Sequence, residues 1–285
     1  MIKQRPAVTA SAGARFFVTA LAMLLAFLLG LRVMEPSMIF FPTKYPEGFW
    51  QPAQRGIAVQ DCFFTTSDGV KLHGWYAPYE GAQHTLLWCH GNAGNISHRL
   101  DQLKMLHERV RVNIFILSYR GYGRSDGSPD EDGLYQDARA AYDYLVAEKQ
   151  VNAKQLVLYG QSLGGAVVVD LAVARPCAGL IIESSFSSAK DVAKSLFSFL
   201  PVHYFIGVRF DSATKIKQVH VPVLIIHGTH DEVIPYELGR KLFDAANEPK
   251  EFYSMPGATH NDPFLVGGEA YYSKIRQFIE QLPSS

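Results

Sequence analysis

Apolar residues form one long block near the amino terminus and then a series of short ones. The first, FFVTALAMLLAFLLGLRVM from Phe16 to Met34, is almost unbroken. As a helix rising about 1.5 Å per residue it covers about 28 Å, close to the hydrocarbon thickness of a bilayer. Arg32, its one charge, lies near the end, where a long stem lifts the guanidinium to the interface. The later blocks have strand length: CFFTTS and VKLHGWYAP on either side of Asp68-Gly69, then TLLWCH, VNIFILSY, KQLVLYG, AGLIIES, VPVLIIHG and KEFYSM. The first pair reads as an antiparallel hairpin on an Asp-Gly turn. The others have the continuous apolar character of strands buried on both faces. Helix-length stretches lie between them, at Ser97 to Glu108, Leu134 to Glu148, Leu163 to Ala174, Tyr236 to Ala246 and Glu269 to Gln281. This alternation predicts an α/β fold, a mostly parallel, doubly wound sheet with an antiparallel start.

The pattern divides the chain into a short tail (residues 1–15), a transmembrane signal anchor (16–34), a proline- and aromatic-rich connector (35–60) and one α/β domain (61–285). An insertion at about 185–218 contains SAKDVAKSLFSFL and, lying over the carboxyl ends of the strands, would form a small lid. LRVMEPSM offers no small-x-small cleavage pattern, which favours an uncleaved anchor over a signal peptide. Lys3, Arg5 and Arg15 precede the span, so the positive-inside rule keeps the tail cytoplasmic and puts the domain on the exported, periplasmic or extracellular side. In the connector, Tyr45, Phe49 and Trp50 suit either the headgroup level or the domain surface.

A hydrophobic fraction of 48% supplies a sizeable core. The 27 basic and 27 acidic residues balance, so no field favours a nucleic acid as partner. Cys62, Cys89 and Cys177 give no Cys-x-x-Cys pair and no disulfide framework, and read as small buried apolar residues.

Gly160-Gln161-Ser162-Leu163-Gly164-Gly165 joins a strand to a helix. A side chain at the apex of so sharp a turn needs small neighbours, and the helix that follows aims its N-terminal N–H groups at charge developing beside Ser162. A serine hydroxyl needs a base, and a histidine suits that work. His260, in the glycine-containing loop PGATHND after the last strand, can reach the carboxyl edge of the sheet. His73, His84, His98, His107, His203 and His220 read as ordinary polar residues. Asp231, just beyond VPVLIIHG, is the carboxylate expected to orient the histidine, in preference to Glu232 and Asp262. The loop His90-Gly91-Asn92-Ala93-Gly94-Asn95 follows TLLWC, so the backbone N–H groups of Asn92 and Leu163 are the expected oxyanion donors, with Ala93 the alternative to Asn92. His90 reads as a structural hydrogen-bonding residue, and Arg120, Arg124 and Asp126 as organisers of their glycine-rich loop.

With HGNAGN, SYRGYGRSDGSP, YGQSLGGA, HGTHDEVIP and GATHND in order, the chain after the anchor resembles the Bem46-like branch of the α/β-hydrolase superfamily. That resemblance implies the fold, the triad Ser162, Asp231 and His260, and a two-amide oxyanion hole, but no particular substrate. The animal thioesterases of the group carry a lipidated, cysteine-rich amino terminus in place of the span. The function expected is cleavage of a carboxylic ester or thioester through an acyl-enzyme, without metal or organic cofactor. The partners expected are a small or lipid-like acyl substrate and a membrane. An aminopeptidase or amidase on the same triad, and a noncatalytic membrane-bound binding module, are the alternatives.

Overall fold

A computed structural model describes residues 12–197, 199 and 201–283. Lys3 and Arg5, used above to orient the chain, lie outside them, as do Ser198 and Leu200 of the insertion.

Eight strands form one sheet: β1 (Gln60–Thr65), β2 (Lys71–Ala77), β3 (Thr85–Cys89), β4 (Asn113–Ser118), β5 (Leu156–Gln161), β6 (Gly179–Glu183), β7 (Val223–Gly228) and β8 (Lys250–Met255). Their order across the sheet is β8-β7-β6-β5-β3-β4-β2-β1. β2 runs antiparallel to both neighbours, and every other pairing is parallel. The hairpin turns at Gly69, whose φ of +86° is a conformation open to glycine.

Burial explains why the central strands read as unbroken apolar runs. Leu87 and Cys89 of β3 join one core with Phe115 and Leu117, whereas Leu86 and Trp88 join a second with Ile114 and Ile116. Successive side chains leave a strand on opposite faces, so both faces must be apolar when helices cover both. α3 (Glu131–Ala147) and α4 (Leu163–Ala174) contribute to the first core, and α2 (Leu100–Val110) and α7 (Gly268–Glu280) to the second. α6 (Tyr236–Ala245) adds Leu242 to the first.

The N-terminal helix α1 runs from Ala12 to Ile39, and its stretch Arg15–Ile39 is long and apolar enough to cross a membrane. It therefore continues five residues beyond the expected end at Met34, into the segment read as connector. Glu35 breaks the apolar pattern without ending the helix, because its carboxylate accepts hydrogen bonds from Arg32 and from the Gly207 and Val208 amides. The rest of the connector packs on the domain. Phe41–Pro42 pairs in parallel with Ala93–Gly94, and Trp50 meets Trp75 edge to face with ring centroids 5.4 Å apart. Within the insertion, α5 (Ala189–Leu196) begins on a Ser188 cap whose hydroxyl accepts from the Asp191 N–H.

Candidate active site

Strand β5 and helix α4 meet at Ser162 with φ +51° and ψ −118°. A non-glycine residue with positive φ is strained and persists only where its surroundings fix it. Here Ser162 N–H donates to the Glu183 carbonyl at 2.8 Å, and the Ser162 carbonyl accepts from Ser185 Oγ at 2.7 Å. Gly160 and Gly164 permit the tight crossing: a Cβ on Gly164 would collide with the Cys89 carbonyl, and one on Gly160 with the Gly164 carbonyl.

The loop after β8 brings His260 to this turn. It is laced to the loop after β7, with His230 N–H donating to the Ala258 carbonyl and Gly257 N–H to Thr229 Oγ1, each at 3.0 Å. His260 Nε2 lies 3.0 Å from Ser162 Oγ, and its Nδ1 lies 2.9 and 3.0 Å from the Asp231 oxygens. Asp231 also accepts from the Val233 and Ile234 amides, at 3.0 and 2.7 Å, and has His227 Nε2 at 3.3 Å. Burial alone would raise its pKa. The hydrogen bonds from His227, His260 and Ile234 outweigh that and hold the carboxyl well below its ordinary range. An ionised Asp231 can only accept, so it fixes the His260 proton on Nδ1 and leaves Nε2 to receive the Ser162 hydroxyl hydrogen.

The other expected positions fall around this line. Leu163 opens α4, so its N–H has no intrahelical acceptor. A Cβ on Gly91 would sit 3.5 Å from Ser162 Cβ, which places the loop after β3 against the serine. Asn92, Ser162 and Leu163 line one cavity of about 460 Å³, and Ala93 is not among the described residues lining it. Glu232 is exposed, and Asp262 shapes its own loop by accepting the Thr259 N–H at 2.7 Å. His90 is fully buried against Tyr119 and Tyr122, donates from Nδ1 to the Gly91 carbonyl, and is driven down to about 3 by burial. Arg120 ties its loop to Asp137 and Asp68, at 2.8 Å each.

Three residues that the sequence reading passed over belong to the site. His227 closes the fourth side of Asp231; its spacing of four from that aspartate in HGTHD was the available signal. Glu183, read as the end of a strand, accepts from Gln161 and Tyr159 at 2.8 and 2.9 Å and from Tyr271, and burial pushes its pKa up. Glu35, from α1, lines the cavity.

A family profile described as alpha/beta hydrolase fold matches residues 84–200. Protein bem46 of Schizosaccharomyces pombe is 32% identical over 266 residues, covering 89% of this chain and 88% of that protein. The chain belongs to the α/β-hydrolase family, in its Bem46-like branch. A second member, the α/β-hydrolase domain-containing protein WAV2 of Arabidopsis thaliana, is 35% identical over 289 residues, covering 93% of this chain and 91% of that one. Among solved structures, the Pyrococcus furiosus esterase Pf2001 superposes with a TM-score of 0.70 at 19% identity, over 86% of this Bem46-like chain and 98% of the esterase. That likeness is one of fold.

Proposed function

We propose that the protein is a membrane-anchored serine hydrolase that cleaves a carboxylic ester or thioester with an apolar acyl group. The hydrogen-bonded line Ser162–His260–Asp231, opening on a cavity of mostly apolar lining, carries this reading. Ser162 Oγ attacks the acyl carbonyl carbon as its proton passes to His260 Nε2. The oxyanion is met by the N–H groups of Asn92 and Leu163, donors of a kind that contribute roughly 10²–10³ each in rate. Collapse expels the alcohol or thiol, which takes the proton from Nε2, and leaves the acyl group on Ser162. Water then attacks, gives its proton to Nε2, and the acid departs as Ser162 recovers its hydrogen. Asp231 stays ionised throughout and stabilises the imidazolium.

The amide-cleaving alternative finds less support. An aminopeptidase needs a carboxylate free to hold the substrate ammonium, and Glu35, the acidic residue among the described residues lining the cavity, is already engaged by Arg32 and two backbone amides. The anchor reading rests on the length and apolarity of α1, and the exported orientation on Lys3, Arg5 and Arg15. The test is a set of p-nitrophenyl esters and acyl thioesters of increasing chain length, beside aminoacyl anilides. Turnover that grows with acyl length supports the proposal; cleavage of the anilides alone would replace it with the amidase reading.

A further inference from the structure

The final turn of α1 enters the cavity that also holds Ser162. Glu35, Met38 and Ile39 line it opposite residues of the insertion that include Leu196, Phe205 and Val208. The helix is fastened there. Glu35 Oε1 accepts from the Gly207 amide and, at 3.2 Å, from that of Val208, while Glu35 Oε2 accepts from Arg32 at 2.9 Å. A Cβ on Gly207 would take the place of the Arg32 guanidinium, so the helix lies directly on this stretch of the lid. The opposite end of the same stretch is held by Glu131, which accepts from the amides of Arg209 and Phe210. Behind Ile39, its carbonyl accepts from the Asn92 side chain at 2.7 Å, which closes the wall against the loop beside Ser162.

From these contacts we infer that the last turn of the membrane helix is the chain-length-determining wall of the acyl site, with Met38 as its specificity residue and Glu35 as the latch that holds the lid against it. The inference deepens the ester or thioester hydrolase reading and rests on it. An anchor that served only as a tether would need no contact with the reaction cavity. Here the acyl chain lies between one wall from α1 and one from the lid. Phe199 and Tyr204 of the lid are largely exposed, and Leu196 and Phe205, which line the cavity, are half exposed, so the lid is apolar from the cavity out to its surface. A substrate with a long acyl chain, drawn from the membrane, fits a mouth so lined.

The test uses the full chain in detergent micelles and p-nitrophenyl esters from acetate to palmitate. Met38→Trp fills the wall, and each methylene it keeps out lowers kcat/KM roughly fourfold. The ratio of long-ester to short-ester kcat/KM is therefore expected to fall by an order of magnitude or more. Met34→Trp, one turn earlier on the same face, as exposed as Met38 but not among the residues lining the cavity, should keep the wild-type ratio. Glu35→Ala should speed limited proteolysis within the lid several-fold. An unchanged ratio in Met38→Trp, in an enzyme that does turn over esters, overturns the inference and leaves the hydrolase reading intact. A wild type that neither hydrolyses any ester nor labels at Ser162 with a fluorophosphonate overturns both. Equal loss of ratio in Met34→Trp would assign the effect to the helix in the micelle, against a specific wall.

Discussion

The Asn92 side-chain amide donates to the Ile39 carbonyl at 2.7 Å, so a residue proposed to meet the oxyanion also closes the last turn of the N-terminal helix. The Asn92 carbonyl is held from the other side, by Tyr122 Oη at 2.7 Å and by the Phe41 amide at 3.2 Å. Asn92→Ala keeps the backbone N–H and removes only the link to the helix. It is expected to lower kcat/KM about tenfold, ~1.4 kcal/mol, through a looser donor. A loss of about a thousandfold would mean that the side chain itself takes part in the chemistry.

Asp231 accepts from His260 Nδ1 and from the Val233 and Ile234 amides, with His227 Nε2 3.3 Å away. Asp231→Asn offers His260 Nδ1 an amide that can present N–H as readily as oxygen, which disrupts the tautomer needed at Nε2. A fall in kcat of roughly 10³–10⁴ with little change in KM is expected for esters near neutral pH. A variant within tenfold of wild type would remove Asp231 from the relay.

Beneath the serine, Glu183 receives Tyr159, Tyr271 and Gln161, and a glutamine there must turn an N–H toward one of these donors. Glu183→Gln is expected to lose about 1–3 kcal/mol of unfolding free energy in urea. Because the Glu183 carbonyl holds the Ser162 N–H, slower phosphonylation of Ser162 should accompany it. A variant as stable as wild type would show that the charge is dispensable there.

Burial lowers His90 from an unfolded value of about 6.5 to about 3, so between those values the unfolded chain binds the extra proton. Stability from this residue is complete above the upper value and is lost as pH falls through the window, by up to ~1.4 kcal/mol per pH unit. His90→Phe, which can keep the tilted contact with Tyr119 and the edge-to-face contact with Tyr122, should flatten the fall in Tm between pH 7 and 5. His73 and His84 are shifted in the same direction by burial and leave a residual slope. An identical slope in wild type and variant would contradict the assignment.

What the sequence made legible follows from the range of the forces involved. The strands and α4 could be read because their pattern is local: an apolar strand, a glycine-flanked serine and an apolar helix follow one another, and Leu163–Ala174 was expected at the bounds observed. Ser162, Asp231 and His260 stand out as candidates because each sits just past a strand, at the carboxyl edge of the sheet, where their side chains meet. The end of α1 could not, since the partners that let Glu35 remain helical stand at Gly207 and Val208, far along the chain. His227 and Glu183 were hidden for a related reason. Each lies at the end of an apolar strand, where a polar side chain reads as a boundary until its long-range partners are known.

The central claim is an activated Ser162, and the most direct measurement is mass-resolved labelling of the full chain in micelles with a fluorescent fluorophosphonate. The expected result is one adduct on Ser162, absent in Ser162→Ala and at least a hundredfold slower to form in His260→Ala. A folded wild type that stays unlabelled, or an adduct that persists in Ser162→Ala, would contradict the account.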